Sequence, residues 1–201
     1  AKAQANRLSI AGAGVGILTS EAKSEGTTIA ALKGNGQGDE GTISAGGEVA
    51  ILAKSSISAD SNANGRDYGA AAFGSVIANA TMGSQTFAYA DKGTKITSAQ
   101  AVRIHSEADY WAKAVSVGGK GGVIGVGSAE ATVQLIDPLT KAWIGDGTVI
   151  VAPDARLEVS AANRAWLSAD TNQTVTAGIA NNDSKATTQI LNSQTLAEVG
   201  S

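Results

Sequence analysis

A strand-like segment recurs about every 54 residues along this chain, and no other feature constrains the fold as strongly. Its copies are Thr28-Ile29-Ala30-Ala31-Leu32, Thr86-Phe87-Ala88-Tyr89-Ala90, Thr140-Lys141-Ala142-Trp143-Ile144 and Thr195-Leu196-Ala197-Glu198-Val199. Their threonines stand 58, 54 and 55 positions apart. A long period built of short strands and glycine turns signals a stacked architecture, in which each unit buries its apolar side against the next.

The rest of the period reads in the same order. A glycine turn and an isoleucine strand follow the first segment: Gly41-Thr42-Ile43, Gly93-Thr94-Lys95-Ile96 and Gly147-Thr148-Val149-Ile150. A third strand reads Glu48-Val49-Ala50-Ile51, Ala101-Val102-Arg103-Ile104 and Arg156-Leu157-Glu158-Val159. A large apolar position comes next, as Leu8, Ile57, Trp111 and Trp166, and these four are expected to fill the core along one line. A Gly/Ala-rich stretch closes the unit, clearest at Gly14-Val15-Gly16 and Gly125-Val126-Gly127. Insertions fall in turns, at Gly34 to Gly41 and at Pro153-Asp154-Ala155.

Composition agrees with a stack of strands. The chain has 201 residues, 25 of them glycine, and only 4% are aromatic. Small side chains suit closely packed sheets and tight turns. Alternation in Val49-Ala50-Ile51-Leu52-Ala53 and in Val115-Ser116-Val117 puts apolar side chains on one face. Only Ala180 to Gln194 admits a short helix, and its Asn, Thr and Ser content opposes one. These features predict an all-β, right-handed parallel β-solenoid (β-helix). Each period would supply roughly two coils of about 25–29 residues. Seven or so coils would span about 35 Å. Stacked antiparallel hairpin modules or a β-sandwich is the alternative. No linker divides the chain, so residues 1–201 read as a single continuous domain, a fragment of a longer array.

Charge and cysteine usage narrow the partners. A net charge of −3 supplies no basic field for nucleic acid. No apolar run reaches the roughly 18 residues of a membrane-spanning helix. With no cysteine, disulfides and thiolate metal sites are excluded.

Ala142-Trp143-Ile144-Gly145-Asp146-Gly147-Thr148 and the strand pair Ile43-Ser44-Ala45-Gly46-Gly47-Glu48-Val49-Ala50-Ile51 carry a resemblance. At these residues, and in pattern along nearly the whole chain, the sequence resembles the repeat regions of giant bacterial surface proteins. These are the filamentous-haemagglutinin-like exoproteins and autotransporter-type adhesins. The Gly-Asp-Gly turn occurs once here, at Gly145-Asp146-Gly147, which departs from the repeated pattern. The resemblance implies an extracellular or cell-surface rod used for adhesion, aggregation, or building a biofilm matrix or filament. Self-association or contact with neighbouring repeats is the partnership it implies first, and a cell-surface receptor or polysaccharide the second.

Side chains of chemically capable types favour structural roles here. Asp137, Asp146 and Asp154 adjoin turns, where aspartate bonds its local backbone, rather than a paired acid/base site. His105 is the one histidine and cannot head a His-based metal cluster. Gly118-Gly119-Lys120-Gly121-Gly122 lacks the Gly-Lys-Ser/Thr and helix of a phosphate loop and reads as a turn. Asp39 and Glu40, in a glycine loop, are the weak candidates for Ca²⁺, and no other cofactor is implied. Sequons at Asn79, Asn172 and Asn182 read as chance matches. Trp143 and Tyr89 occupy a variable position and are the surface-contact candidates. The expected function is a non-enzymatic structural rod; the alternative is a carbohydrate-binding or polysaccharide-active β-helix protein.

Overall fold

The computed structural model describes residues 1–34, 41–98, 100–152 and 156–200. Among them the chain forms ten strands and no helix. These are β1 Lys2–Ile10, β2 Ala13–Leu32, β3 Thr42–Ala45, β4 Val49–Ala90, β5 Lys95–Ser98, β6 Ala101–Ile136, β7 Leu139–Ile144, β8 Val149–Val151, β9 Arg156–Leu191 and β10 Gln194–Val199. Ala180 to Gln194 is strand up to Leu191 and resumes as β10.

The strands form a curled, all-parallel sheet and a short second sheet. β4 pairs with β1 (Asp60 opposite Lys2), with β2 (Ala71 opposite Ala13), with β6 (Val49 opposite Val102) and with β7 (Thr86 opposite Thr140). β6 pairs with β9 and β7 with β10. The second sheet, β3-β5-β8, aligns Ile43, Ile96 and Ile150. Hydrogen-bonded neighbours are thus 53 to 58 positions apart everywhere. The chain lies in four tiers: β1–β2, β3–β4, β5–β7 and β8–β10. The parallel pairing is at odds with antiparallel hairpin modules.

Three sequence expectations are corrected. Two coils of about 25–29 residues would pair residues about 27 apart; the observed registers give one tier where two were expected. Four tiers therefore span about 19 Å where seven coils would span about 35 Å. Leu8, Ile57, Trp111 and Trp166 do not share one column. Leu8 faces Arg66, Ile57 faces Tyr110, and only Trp111 and Trp166 are partners. The local offset between β4 and β6 is 53, and a one-residue misalignment moves a side chain to the opposite face. Tyr110 is accordingly the fully buried aromatic, and the two tryptophans point outward. In Val115-Ser116-Val117 the face is likewise inverted, with Ser116 buried and the valines outside.

Each long strand folds back into two facing arms. In β4 the buried positions are odd-numbered to Asp67 and, Tyr89 apart, even-numbered from Ala72. The ladder to β6 skips Ala70, where the parity changes. Glycine is required at this bend. A Cβ on Gly122, whose φ is +151°, would lie 1.7 Å from the Gly69 carbonyl oxygen. The arms approach closely because alanines line them, among them Ala59, Ala63, Ala78, Ala80, Ala112 and Ala114. Serine hydroxyls reach across the gap to backbone: Ser61 Oγ donates to the Ser20 carbonyl at 2.9 Å, and Ser116 Oγ to that of Val76 at 2.7 Å. That contact is the reason a serine takes the inward place of β6 there.

The interior is compartmented along the arms. A base cluster joins Val49, Ile51, Val102 and Ile104 to Ala88, Ala142 and Ile144, closed by Ile96 of the short sheet. A second cluster, built on the alanines with Met82, Tyr110, Val133 and Leu135, fills the middle. Hydroxyls separate the two. Thr86 Oγ1 bonds Ser55 Oγ at 2.7 Å, the Thr86 carbonyl accepts from Ser106, and Thr140 Oγ1 donates to Asn163. The recurrent threonine thus faces inward. Near the bend, Asp67 holds the Lys120 ammonium and, at 2.9 Å, the Arg7 guanidinium. Gly74 and Gly127 leave room for Lys120, since a Cβ on either would come within 3.0 Å of its side chain.

Candidate binding surface

The outer face of the outgoing arms is a sheet surface that spans three adjacent strands. Register makes it a grid: Ser56, Asp109 and Arg164 in one row, Ser58, Trp111 and Trp166 in the next, and Asp60, Lys113 and Ser168 in the third. Trp111 belongs to an inner tier with a strand on either side, yet is 47% exposed; Trp166 beside it is 53% exposed. The expectation that these two fill the core is corrected, because Tyr110, one residue earlier, already occupies the inward place. The adjacent Tyr110-Trp111 pair carried the signal: in a strand, one of two neighbours must face out.

Charged side chains continue this face toward the base. Glu107 accepts from Lys54 at 3.1 Å and Arg164 at 2.6 Å, with His105 Nε2 at 3.9 Å. The Lys54 hydrogen bond, chiefly, and the nearby Arg164 charge hold its carboxyl below the usual value. His105 Nδ1 lies 2.9 Å from Ser160 Oγ, so the imidazole sits in a surface polar network. Asp109 Oδ1 is buried without a hydrogen-bond partner, 3.5 Å from Arg164 Nη1.

Tyr89 and Trp143 lie on the return arm's outer face, as register partners with rings stacked at 4.0 Å. Phe87 meets Trp143 edge-on, and Lys33 and Lys141 lie over the two rings. Mutual stacking buries Tyr89 and leaves Trp143 half-buried. This cluster is largely self-satisfied.

Of the carboxylates singled out by sequence, the two that are described, Asp137 and Asp146, lie apart. Asp137 adopts a left-handed φ of 49° and accepts from Asn192 at 2.9 Å. Asp146 sits in the exposed turn at the other end of β7, a strand roughly 20 Å long. Asp39, Glu40 and Asp154 lie outside the described residues. An open groove of about 670 Å³ among the described residues includes Glu21, Glu25 and Asp137, with Glu25 paired to Lys23 at 2.9 Å. Among the described residues no three His, Cys, Asp or Glu side chains are grouped to hold a metal ion. Gly118 to Gly122 forms the approach to the bend, and its Lys120 points inward to Asp67.

No family model, curated protein or solved structure matched this chain.

Proposed function

We propose that this chain is a structural segment of an extended rod on a bacterial surface or outside the cell, built as a parallel β-solenoid with one turn of about 54 residues per tier. One observation carries the reading: every strand pairs in parallel with its counterpart one tier away, so side chains line up in columns. Such a ladder lengthens by adding tiers without new interface chemistry. It resists extension because its backbone hydrogen bonds run along the stacking axis. Composition supports an exposed setting: no cysteine, few charges, and abundant Thr, Ser, Asn, Gly and Ala. Support for adhesion, aggregation or biofilm and filament formation comes from the resemblance of the sequence to adhesin repeats. The outer strands of the first and last tiers carry free backbone groups on which further tiers or other copies would pair.

Electron microscopy of the protein purified from its source tests this reading. Thin rods whose length scales with the number of tiers are expected, and strand-edge pairing predicts end-to-end polymers at high concentration. Compact particles with no elongated axis would overturn it.

A further inference from the structure

We propose that the Trp111–Trp166 ledge binds an uncharged polysaccharide chain. The inference goes beyond the rod reading and does not depend on it. Burying an indole is among the largest apolar gains available to a fold, yet the chain leaves two of them in adjacent tiers half in water. Contiguous exposed apolar area rimmed by polar groups marks a contact surface. The exposure of Trp111 is not an edge effect, since paired strands flank it on both sides.

The chemistry of the rim selects the occupant. Lys2, Lys113 and Arg164 alternate with Asp60 and Asp109 in these rows, so the rim offers no block of one charge with which to recruit an ionic ligand. Lys113 makes no ion pair among the described residues. Asp60, beside Lys113 in the row below the indoles, likewise makes no side-chain ion pair among the described residues. A pyranose ring offers what this grid lacks. Its C–H face lies flat on an indole, and its hydroxyls donate to a carboxylate on one side and accept from an ammonium on the other. Outward positions repeat at about 4.8 Å across strands and roughly 7 Å along them. The two indoles therefore stand about one strand spacing apart, close enough to meet consecutive sugar rings. An open sheet face that runs across several strands suits a chain more than a small ligand.

The test is tryptophan fluorescence and affinity electrophoresis of the whole protein. The probes are soluble mixed-linkage glucan, xylan and galactomannan, with polygalacturonate as the anionic comparison. At least one neutral polymer should retard the protein and shift its emission to the blue. Trp111→Ala with Trp166→Ala should weaken that binding at least tenfold, and Asp60→Asn several-fold. Trp143→Ala should leave it unchanged. Because both ledge side chains point outward, circular dichroism and the urea midpoint of the double variant should match the parent. No binding to the neutral polymers, binding to polygalacturonate alone, or retention by the double variant would each overturn the proposal. Self-association lost in the double variant, without glycan binding, would identify the ledge as a protein interface and overturn it equally.

Discussion

Removing Asp67 should cost the protein more than deleting any exposed charge. The carboxylate lies inside the bend with a side chain 4% exposed, between a Lys120 side chain 1% exposed and an Arg7 side chain 26% exposed. Asp67→Ala strands the Lys120 ammonium in a compartment lined by backbone and glycine. Breaking a buried pair from one side costs about 3–5 kcal/mol. Arg7→Ala should cost about 1 kcal/mol or less, because the guanidinium already reaches solvent. Replacing both buried partners, with Asp67→Leu and Lys120→Met, removes the desolvated charges together and should recover most of the loss. The assay is equilibrium urea unfolding followed by far-ultraviolet circular dichroism. With a slope of roughly 2 kcal/mol per molar urea, the single change lowers the midpoint by about 1.5–2.5 M. The double change should bring it back to within about 1 M of the parent. If the double variant is as unstable as Asp67→Ala alone, packing rather than an orphaned charge sets the cost, and the reasoning is wrong.

Other outcomes follow from the same geometry. Tyr110→Ala should destabilise by about 3–5 kcal/mol, whereas Trp111→Ala should cost under about 1 kcal/mol; equal losses would refute the assigned faces. Gly122→Ala places a Cβ 1.7 Å from a carbonyl oxygen at a φ of +151° and should lower the thermal midpoint steeply, whereas Gly46→Ala, with open space around it, should be nearly silent. Glu107, whose carboxyl is held below its usual value, binds fewer protons folded than unfolded in acid. Its contribution is present above the unfolded value of about 4.3 and is lost as pH falls through the lower folded value. The urea-midpoint gap between the parent and Glu107→Gln should therefore close on acidification from pH 6 to pH 3, and a gap that widened would reverse the sign.

Much of the backbone plan was legible because it depends on columns of like residues. The threonines at 28, 86, 140 and 195 and the isoleucines at 43, 96 and 150 pair across tiers as their spacing implied. What the sequence concealed was how far the chain runs before it returns. Alanine, serine and glycine alternate on the arms without the strong apolar contrast that marks a strand's inner face. The reversal at Gly69 to Ala71 therefore passes as continuous strand, and one long tier reads as two short coils. The ledge was hidden for a related reason. Ile57 and Trp111 are 54 apart where the local register is 53, and with period-two side chains that single residue exchanges Tyr110 for Trp111. The Asp67–Lys120 pair was invisible because its partners come from different tiers and neither residue sits in an apolar run.

The hydroxyl seam at Thr86 and Thr140 has a consequence for how the chain finds its alignment. Sliding one tier by two residues preserves inside and outside, so a uniform interior would tolerate it. Here such a slide would push Ser55 and Ser106 into the oily base, draw isoleucine against threonine, and pull Lys120 off Asp67. The order base, hydroxyls, alanines, ions works as a ruler along each arm: every tier can measure whether it has settled at the same mark as the one beneath it.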